Sequence, residues 1–332
     1  MAKKVVFLGM GGTIAGKAES AQDNVGYQAA QVSVQDLLLS VPALQAALGD
    51  CVAEAEQVCQ IDSKDLVHAD WVQLHGRVVH HLSQPEVAGV VVTHGTDTLE
   101  ESAFFLSQTV PHGLLAHKPV VMTCAMRPAT SLAPDGPANM ADATSVALHA
   151  GACGVMVVCA GKVHSAAHVQ KVHPYRVDAF DSGEAGPLGV VEEGRLRLFH
   201  GWPEMAPANP IQLAGKLPPG AWPRVEIVYS HAGCTGAVVE ALLAASSAQD
   251  RLAGLVVAGT GNASLHRLLE QALRAAQAQG VRVARVSRCA NGQVVGGGAG
   301  ARSGDFDSLS WPAGKARVAL MLELATPALT RQ

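Results

Sequence analysis

The run Val87-Ala-Gly-Val-Val-Val-Thr93, continued by His94-Gly-Thr-Asp-Thr-Leu-Glu-Glu101, decides the fold of this chain. Its first half is apolar and rich in β-branched residues, which is typical of a strand buried on both faces. A helical pattern then starts at Leu99, so the residues between are a strand-to-helix turn. In an open α/β sheet such turns lie at the carboxyl ends of the strands, where ligands bind.

The turn holds groups that a hydrophobic core would exclude. Gly95, Thr96 and Asp97 supply close backbone approach, a hydroxyl and a carboxylate, and the free N–H groups of the following helix favour an anion. The alternative is helix capping, with Thr96 or Asp97 as N-cap and Glu100 at the capping-box position. Capping and ligand binding are compatible uses of the same turn.

Strand and helix patterns alternate outward from this turn, which predicts an α/β fold with a doubly wound, mostly parallel sheet. Strands are predicted at 4–8, 52–58, 120–123 and 154–158, and helices at 34–48, from 69, and at 136–151. A stretch at 201–223 with six prolines predicts a linker. We therefore expect an N-terminal catalytic α/β domain at 1–200, the linker at 201–223, and a smaller C-terminal α/β domain at 224–332.

Composition excludes several classes of protein. The 332 residues are 48% hydrophobic and 16% charged, with a net charge of -4. No basic stripe is present, which argues against nucleic acid and against polybasic membrane attachment. No apolar stretch reaches the roughly 18 residues of a membrane span. The short apolar run after Met1 enters a glycine turn at once, so we expect a first strand instead of a signal peptide, and a cytoplasmic protein.

The glycine-rich turn at 9–17 nearly matches two nucleotide motifs. Ala18 stands where a phosphate loop needs a hydroxyl for magnesium, and Ile14 stands where a dinucleotide fingerprint needs its third glycine. We therefore expect no cofactor. His164 and His168 have metal-pair spacing but lack a recognisable third ligand, so no metal is expected either.

The residues alone point to acyl transfer. Thr13 is the hydroxyl presented by the first glycine turn, and it is expected to share a pocket with Thr96 and Asp97. A hydroxyl is a weak nucleophile that a neighbouring base must activate, so a lysine would complete a workable set. The polar stretch 18–31, with its single aromatic residue Tyr27, is either a lid over this pocket or a surface loop.

Three segments carry a family resemblance: Met10-Gly-Gly-Thr-Ile-Ala15, His94 to Glu101, and Lys118-Pro-Val-Val-Met-Thr-Cys-Ala-Met-Arg-Pro128 with Asp135-Gly-Pro137. Together they closely resemble the bacterial-type L-asparaginases, and the resemblance covers essentially the whole chain. It implies hydrolysis of L-asparagine to L-aspartate and ammonia. It also implies a large N-terminal and a smaller C-terminal α/β domain, and a homotetramer built as a dimer of dimers.

The resemblance also implies roles for individual residues. Thr13 matches the nucleophile, on a flexible loop with Tyr27. Thr96, Asp97 and Lys171 match a second set, in which the lysine draws a proton through the threonine. Lys171 is chosen over Lys162 because its distance to Gly186-Pro-Leu-Gly189 agrees with the family spacing.

Substrate-binding roles are implied in the same way. Ser63 and Asp97 match the residues that hold the α-carboxylate and α-amino groups, and the turn at Gly95 and Thr96 belongs to the same set. Ala125 matches a position whose backbone meets the side-chain amide. Asn262 matches a residue that reaches across subunits.

Two departures from the family pattern bear on specificity. Lys64 stands where the family often has Gln, and the stretch 292–304 has no Glu where the secreted enzymes supply one from a neighbouring subunit. We expect asparagine to be preferred. The alternatives are a glutaminase-asparaginase of broad specificity, a tRNA amidotransferase subunit, which would be expected to have an extra N-terminal domain before the first strand, and a catalytically inactive ligand-binding domain.

Overall fold

A computed structural model describes residues 3–203, 222–295 and 306–330. The chain forms two compact units, Met1–Gly215 and Lys216–Gln332. Most of the predicted linker at 201–223 lies outside the described residues. The domain limits at 200 and 224 therefore stay predictions.

The first unit contains strands β1 to β12 and helices α1 to α6. The strands are β1 Lys4–Gly11, β2 Lys17–Ala18, β3 Tyr27–Gln28, β4 Val52–Ile61, β5 Val87–Thr93, β6 Val120–Thr123, β7 Val155–Cys159, β8 Lys162–Ser165, β9 Gln170–Lys171, β10 Phe180–Asp181, β11 Gly189–Glu192 and β12 Arg195–Leu198. The helices are α1 Val34–Leu39, α2 Ala43–Leu48, α3 His68–Leu82, α4 Leu99–Thr109, α5 His112–Leu115 and α6 Gly136–Ala147.

Eight of these strands form one sheet, in the order β12-β11-β8-β7-β6-β5-β1-β4. Neighbours from β4 to β7 pair in parallel, whereas β8, β11 and β12 extend the sheet with antiparallel pairing. The predicted mostly parallel sheet is confirmed, and the predicted strands at 87–93 and 120–123 have the predicted bounds.

Both faces of the sheet are covered. Val5, Phe7 and Val91 belong to a buried cluster shared with Met140 of α6. Because side chains alternate along a strand, neighbouring residues such as Leu8 point to the opposite face, and Leu8 is fully buried as well. This two-sided burial explains why the central strands read as continuous apolar runs.

The second unit is a smaller α/β layer. Its elements are β13 Arg224–Tyr229, α7 Ala237–Ala244, β14 Leu252–Gly259, α8 Arg267–Ala278, β15 Arg282–Ser287, β16 Asp307–Ser308 and α9 Ala313–Thr330. The strands form a parallel sheet in the order β13-β14-β15-β16. Its core includes Val239, Leu255, Leu269 and Val283.

Two local predictions were wrong. The helix predicted at 34–48 is two short helices, because Pro42 cannot continue a helix and instead begins the second. The stretch 18–31, predicted to have no regular structure, contains strand β3, and β3 pairs with β2 in an antiparallel hairpin. Within the described residues, no helix is both long and apolar enough to cross a membrane.

Candidate active site

Several of the predicted site residues come from turns at one edge of the large sheet. Strands β4, β1, β5 and β6 are neighbours and run in parallel, so their carboxyl ends meet at that edge. Ser63 follows β4, Thr13 follows β1, Thr96 follows β5 and Ala125 follows β6. The sheet order therefore gathers four turns that are far apart in the sequence.

The turns after β1 and β5 touch through their glycines. Gly12 has a φ of +82°, and a Cβ there would lie 2.5 Å from the backbone N of Gly95. A Cβ at Gly95 would in turn lie 2.5 Å from Ser63 Oγ. Gly12 requires glycine because the backbone of Gly95 cannot move aside. A side chain at Gly95 would also displace Ser63, whose Cβ would lie 2.7 Å away. The two absent side chains allow three turns to converge.

Thr13 is hydrogen-bonded to the hairpin formed by β2 and β3. Its Oγ1 lies 2.6 Å from Tyr27 Oη, and Thr13 is only 6% exposed. Burial is the largest effect on the phenol and raises the pKa of Tyr27, opposed by the hydrogen bond to Thr13. The phenol therefore keeps its proton at neutral pH and is able to share it with the threonine oxygen.

A lysine approaches the second threonine. Lys171 lies on the short strand β9, and its Nζ donates to Thr96 Oγ1 at 2.8 Å and to Asp97 Oδ1 at 2.6 Å. Thr96 is buried, the Lys171 side chain is 18% exposed, and the Asp97 side chain is 51% exposed. Exposure to solvent therefore increases across the site, from the buried Thr96 to the half-exposed Asp97 carboxylate.

Ser63 joins the turn after β4 to the turn after β5. Its hydroxyl accepts the N–H of Asp97 at 3.2 Å, and its carbonyl accepts the Thr98 hydroxyl at 2.9 Å. Ser63 is 3% exposed. Ser63 therefore helps to hold the turn after β5 in its conformation.

The capping role considered for Thr96, Asp97 and Glu100 is wrong. Thr98 is the N-cap of α4, and its side chain makes no cap hydrogen bond. The Glu100 carboxylate instead accepts the backbone N–H of Lys171 at 2.5 Å. The polar side chains of this turn are engaged with other segments because the fold brings those segments close.

Sequence patterns missed a buried chain of polar groups beneath the turn. Trp71 Nε1 donates to Ser102 Oγ at 2.8 Å, Ser102 Oγ lies 3.0 Å from His94 Nε2, and His94 Nδ1 lies 2.7 Å from the Gly95 carbonyl. Burial lowers the pKa of His94 to about 4. The ring is therefore neutral at working pH, and it carries its proton on Nδ1 when Ser102 donates to Nε2. The partners Trp71 and Ser102 are distant in sequence or on the next helix, so the residues beside His94 give no signal of this chain.

Asp135, to which the sequence patterns assign no role, shapes the turn after β6. Ala125 is fully buried, and the Asp135 carboxylate accepts the next two N–H groups, those of Met126 at 2.9 Å and Arg127 at 3.0 Å. This pairing fixes the direction of the Ala125 backbone. The position of Asp135, directly after Pro134 and before helix α6, could have suggested such a role.

Lys64 is not joined to this set by any hydrogen bond in the described residues of the first unit. Its side chain is 59% exposed, and its ammonium pairs with Asp65 and with Asp62. Asn262 belongs to the second unit, where its amide exchanges two hydrogen bonds with the backbone of Val295. The part of 292–304 from residue 296 onward lies outside the described residues.

The geometry is suited to a reaction in which a threonine hydroxyl acts as a nucleophile. In the described part of the chain, no group of three or more His, Cys, Asp or Glu side chains is arranged to hold a metal. Two threonine hydroxyls are each hydrogen-bonded to a proton-carrying side chain, and a carboxylate lies beside one of them. Such a set can polarise a hydroxyl and hold a cationic group.

Comparison with known proteins decides the family. The model described as "Asparaginase, N-terminal" matches residues 4–203, and the model described as "Glutaminase/Asparaginase C-terminal domain" matches residues 224–331. This chain belongs to the asparaginase family. The resemblance to the bacterial-type L-asparaginases inferred from the three sequence segments is confirmed.

Relatives of this asparaginase family member match along most of their length. The glutaminase-asparaginase of Pseudomonas fluorescens biotype A is 34% identical, over 88% of this chain and 77% of the relative. L-asparaginase 2 of Bacillus subtilis is 33% identical, over 96% and 81%. The crystal structure of a probable cytoplasmic L-asparaginase from Campylobacter jejuni has a TM-score of 0.86 and 32% identity, and covers 99% of this chain and 96% of that one.

Proposed function

We propose that this protein hydrolyses L-asparagine to L-aspartate and ammonia. The observation that carries the proposal is the pairing of two buried hydroxyls with two proton-carrying groups, Thr13 with Tyr27 and Thr96 with Lys171. Membership of the asparaginase family and the relatives named as L-asparaginases support the same activity.

Thr13 acts as the nucleophile in this proposal. Its Oγ1 forms a bond to the amide carbon of the substrate, and the threonine proton passes to a neighbouring group. The developing oxyanion is stabilised by backbone N–H donors of the glycine-rich turns. The C–N bond then breaks, ammonia leaves with the transferred proton, and water releases aspartate from the acyl-enzyme.

In the same proposal, Lys171 and Thr96 transfer protons during the reaction. An amine accepts a proton only when it is neutral, and Thr96 Oγ1 at 2.8 Å is positioned to pass one to it. The nearby Asp97 carboxylate is a suitable partner for the ammonium of the substrate. Ser63 and the turn N–H groups suit the α-carboxylate, and the Ala125 backbone suits the side-chain amide.

A second candidate is a glutaminase-asparaginase of broad specificity. The relative from Pseudomonas fluorescens biotype A carries that name. Lys64 adds a cation next to the Ser63 turn, although Asp62 and Asp65 offset its charge. We expect asparagine to be the preferred amide. Comparable turnover of both amides at saturation would favour the broader enzyme.

We further propose a cytoplasmic homotetramer built as a dimer of dimers. The support for the compartment is the neighbouring structure, which is described as a probable cytoplasmic L-asparaginase. The tetramer follows from the family resemblance, in which Asn262 reaches across subunits. Light scattering coupled to gel filtration tests it. One chain has a mass of 34.2 kDa, so a tetramer would have about four times that mass.

The decisive experiment measures ammonia release from asparagine and from glutamine. The wild-type protein is compared with Thr13→Ala and with Thr235→Ala, a control at an exposed threonine of the second unit. We expect release from asparagine by the wild type and the control, and loss of release in Thr13→Ala with an unchanged melting temperature. No release from either amide by folded wild-type protein would overturn the proposal and favour a ligand-binding domain.

A further inference from the structure

We propose that Glu100 is a positioning residue for Lys171, which it holds by the backbone so that the lysine Nζ reaches Thr96. The inference rests on the proposed asparaginase reaction. Glu100 Oε2 accepts the backbone N–H of Lys171 at 2.5 Å, across 71 residues of sequence. The Glu100 carboxylate therefore binds the backbone of Lys171, at the opposite end of the residue from its ammonium group.

Lys171 is held at both ends by one short stretch of the chain. Its Nζ is bonded to Thr96 and Asp97, and its backbone N is bonded to Glu100. Thr96 and Asp97 lie in the turn after β5, and Glu100 lies in the first turn of α4. The segment that presents the threonine therefore also sets where the lysine backbone lies.

The strand that carries Lys171 needs such an anchor. Among the described strands, β9 has two residues and pairs with the two residues of β10, in a sheet separate from the large one. The N–H groups of Val172 and His173 add bonds to the Ala179 carbonyl, and Phe180 is buried. The hydrogen bonds of so short a hairpin make it marginally stable by themselves, so the bond to helix α4 adds a fixed point at the backbone of Lys171.

The carboxylate is well placed to make a strong bond. Glu100 lies two residues after the N-cap Thr98, where the positive end of the helix dipole favours a negative charge. A hydrogen bond from a backbone N–H to an ionised carboxylate is roughly twice as strong as a neutral one. Glu100 is half-buried, which limits competition from water.

Loss of the anchor is expected to reduce catalysis more than substrate binding. A lysine side chain is long and flexible, so a shift of its backbone changes where the ammonium is centred. A misplacement of about 1 Å in a catalytic group costs on the order of 100-fold in rate. We therefore expect Glu100→Ala to lower kcat by about 10- to 100-fold, with KM changed by less than about threefold.

The test compares Glu100→Ala, Glu100→Gln and Glu100→Asp in the full-length protein, by steady-state ammonia release from asparagine. Gln keeps the length and an acceptor oxygen, whereas Asp keeps the charge but is one carbon shorter. We expect Gln to recover most of the kcat lost in Ala, and Asp to recover little. Glu184→Ala is the control, because this exposed residue follows β10 and removes a charge without removing the anchor.

Equal kcat in Glu100→Ala and wild type would overturn the inference, as would a KM increase that accounts for the whole loss. If Glu100→Ala fails to fold, the Gln and Asp variants decide, and equal activity of these two would also overturn it. An inactive but folded wild-type protein would instead contradict the proposed function, so the two failures are distinguishable.

Discussion

Thr13 Oγ1 lies 2.6 Å from Tyr27 Oη, although the two residues come from different elements, the end of the central strand β1 and the small hairpin beside it. Burial raises the pKa of the Tyr27 phenol, so the phenol is a proton donor or acceptor of fixed position at neutral pH. This contact joins the hairpin to the proposed nucleophile.

Tyr27→Phe is expected to lower kcat for asparagine by about 100-fold, since a positioned acid or base contributes typically 10²–10⁴-fold. The ring and its packing remain, so the melting temperature should change little. Tyr175→Phe is the control, because Tyr175 is 59% exposed. Ammonia release by Tyr27→Phe at the wild-type rate would show that the hydroxyl pair has no part in the chemistry.

Gly12→Ala is expected to destabilise the first unit by more than about 3 kcal/mol, or to prevent folding, because overlap and backbone strain add. The added Cβ would overlap the backbone of Gly95, and the φ of +82° adds strain. Gly49→Ala is the matched control, since Gly49 has a φ of +56° but nothing within 4 Å of a Cβ. Its expected loss is about 1–3 kcal/mol, the cost of an unfavourable backbone conformation alone. Urea unfolding measures both, and equal losses would contradict the close approach of the two turns.

Acid should destabilise the protein through His94. Burial holds the pKa of His94 at about 4, below the 6.5 of the unfolded chain, so the unfolded state binds more protons between these values. The free energy of unfolding therefore falls as pH drops from 6.5 to 4, with a slope of at most about 1.4 kcal/mol per pH unit for this group.

Unfolding measured against pH in wild type and in His94→Gln isolates this contribution. The pKa of His75 is also lowered by burial, but it acts equally in both proteins. We expect the two stability curves to converge as the pH falls from 6.5 to 4. Parallel curves would contradict a neutral buried His94.

Thiol labelling of the native protein should be strongly selective. Cys289 is exposed, whereas Cys124 and Cys159 are buried with their Sγ atoms 3.8 Å apart. The hydrogen bond that the Cys124 thiol donates to Cys159, together with burial, raises the pKa of the Cys124 thiol, and the thiolate is the reactive form. Iodoacetamide followed by peptide mass spectrometry should modify Cys289 first and Cys124 only on unfolding. Rapid native labelling of Cys124 would refute this order.

Local sequence patterns were sufficient for the parallel part of the large sheet but predicted none of the antiparallel strands β8, β11 and β12. The β-branched run at 87–93 and the strand at 120–123 were predicted with the bounds that the structure shows, because continuous apolar runs report burial on both faces. Patterns failed at 34–48, where helical spacing continued across Pro42 although the backbone could not. The spacing of apolar residues indicates which side chains are buried. It does not indicate whether the backbone can form the hydrogen bonds of a continuous helix.

The sequence by itself determined that Thr13, Ser63 and Thr96 lie in turns at strand ends, since strand and turn signals depend on neighbouring residues. The residues alone left open which lysine completes the set. Only the tertiary structure brings Lys171 to Thr96 across 75 residues and ties its backbone to Glu100 across 71. The order of strands in the sheet and the path of the β9–β10 hairpin decide those contacts, and both depend on packing between distant segments that no local periodicity encodes.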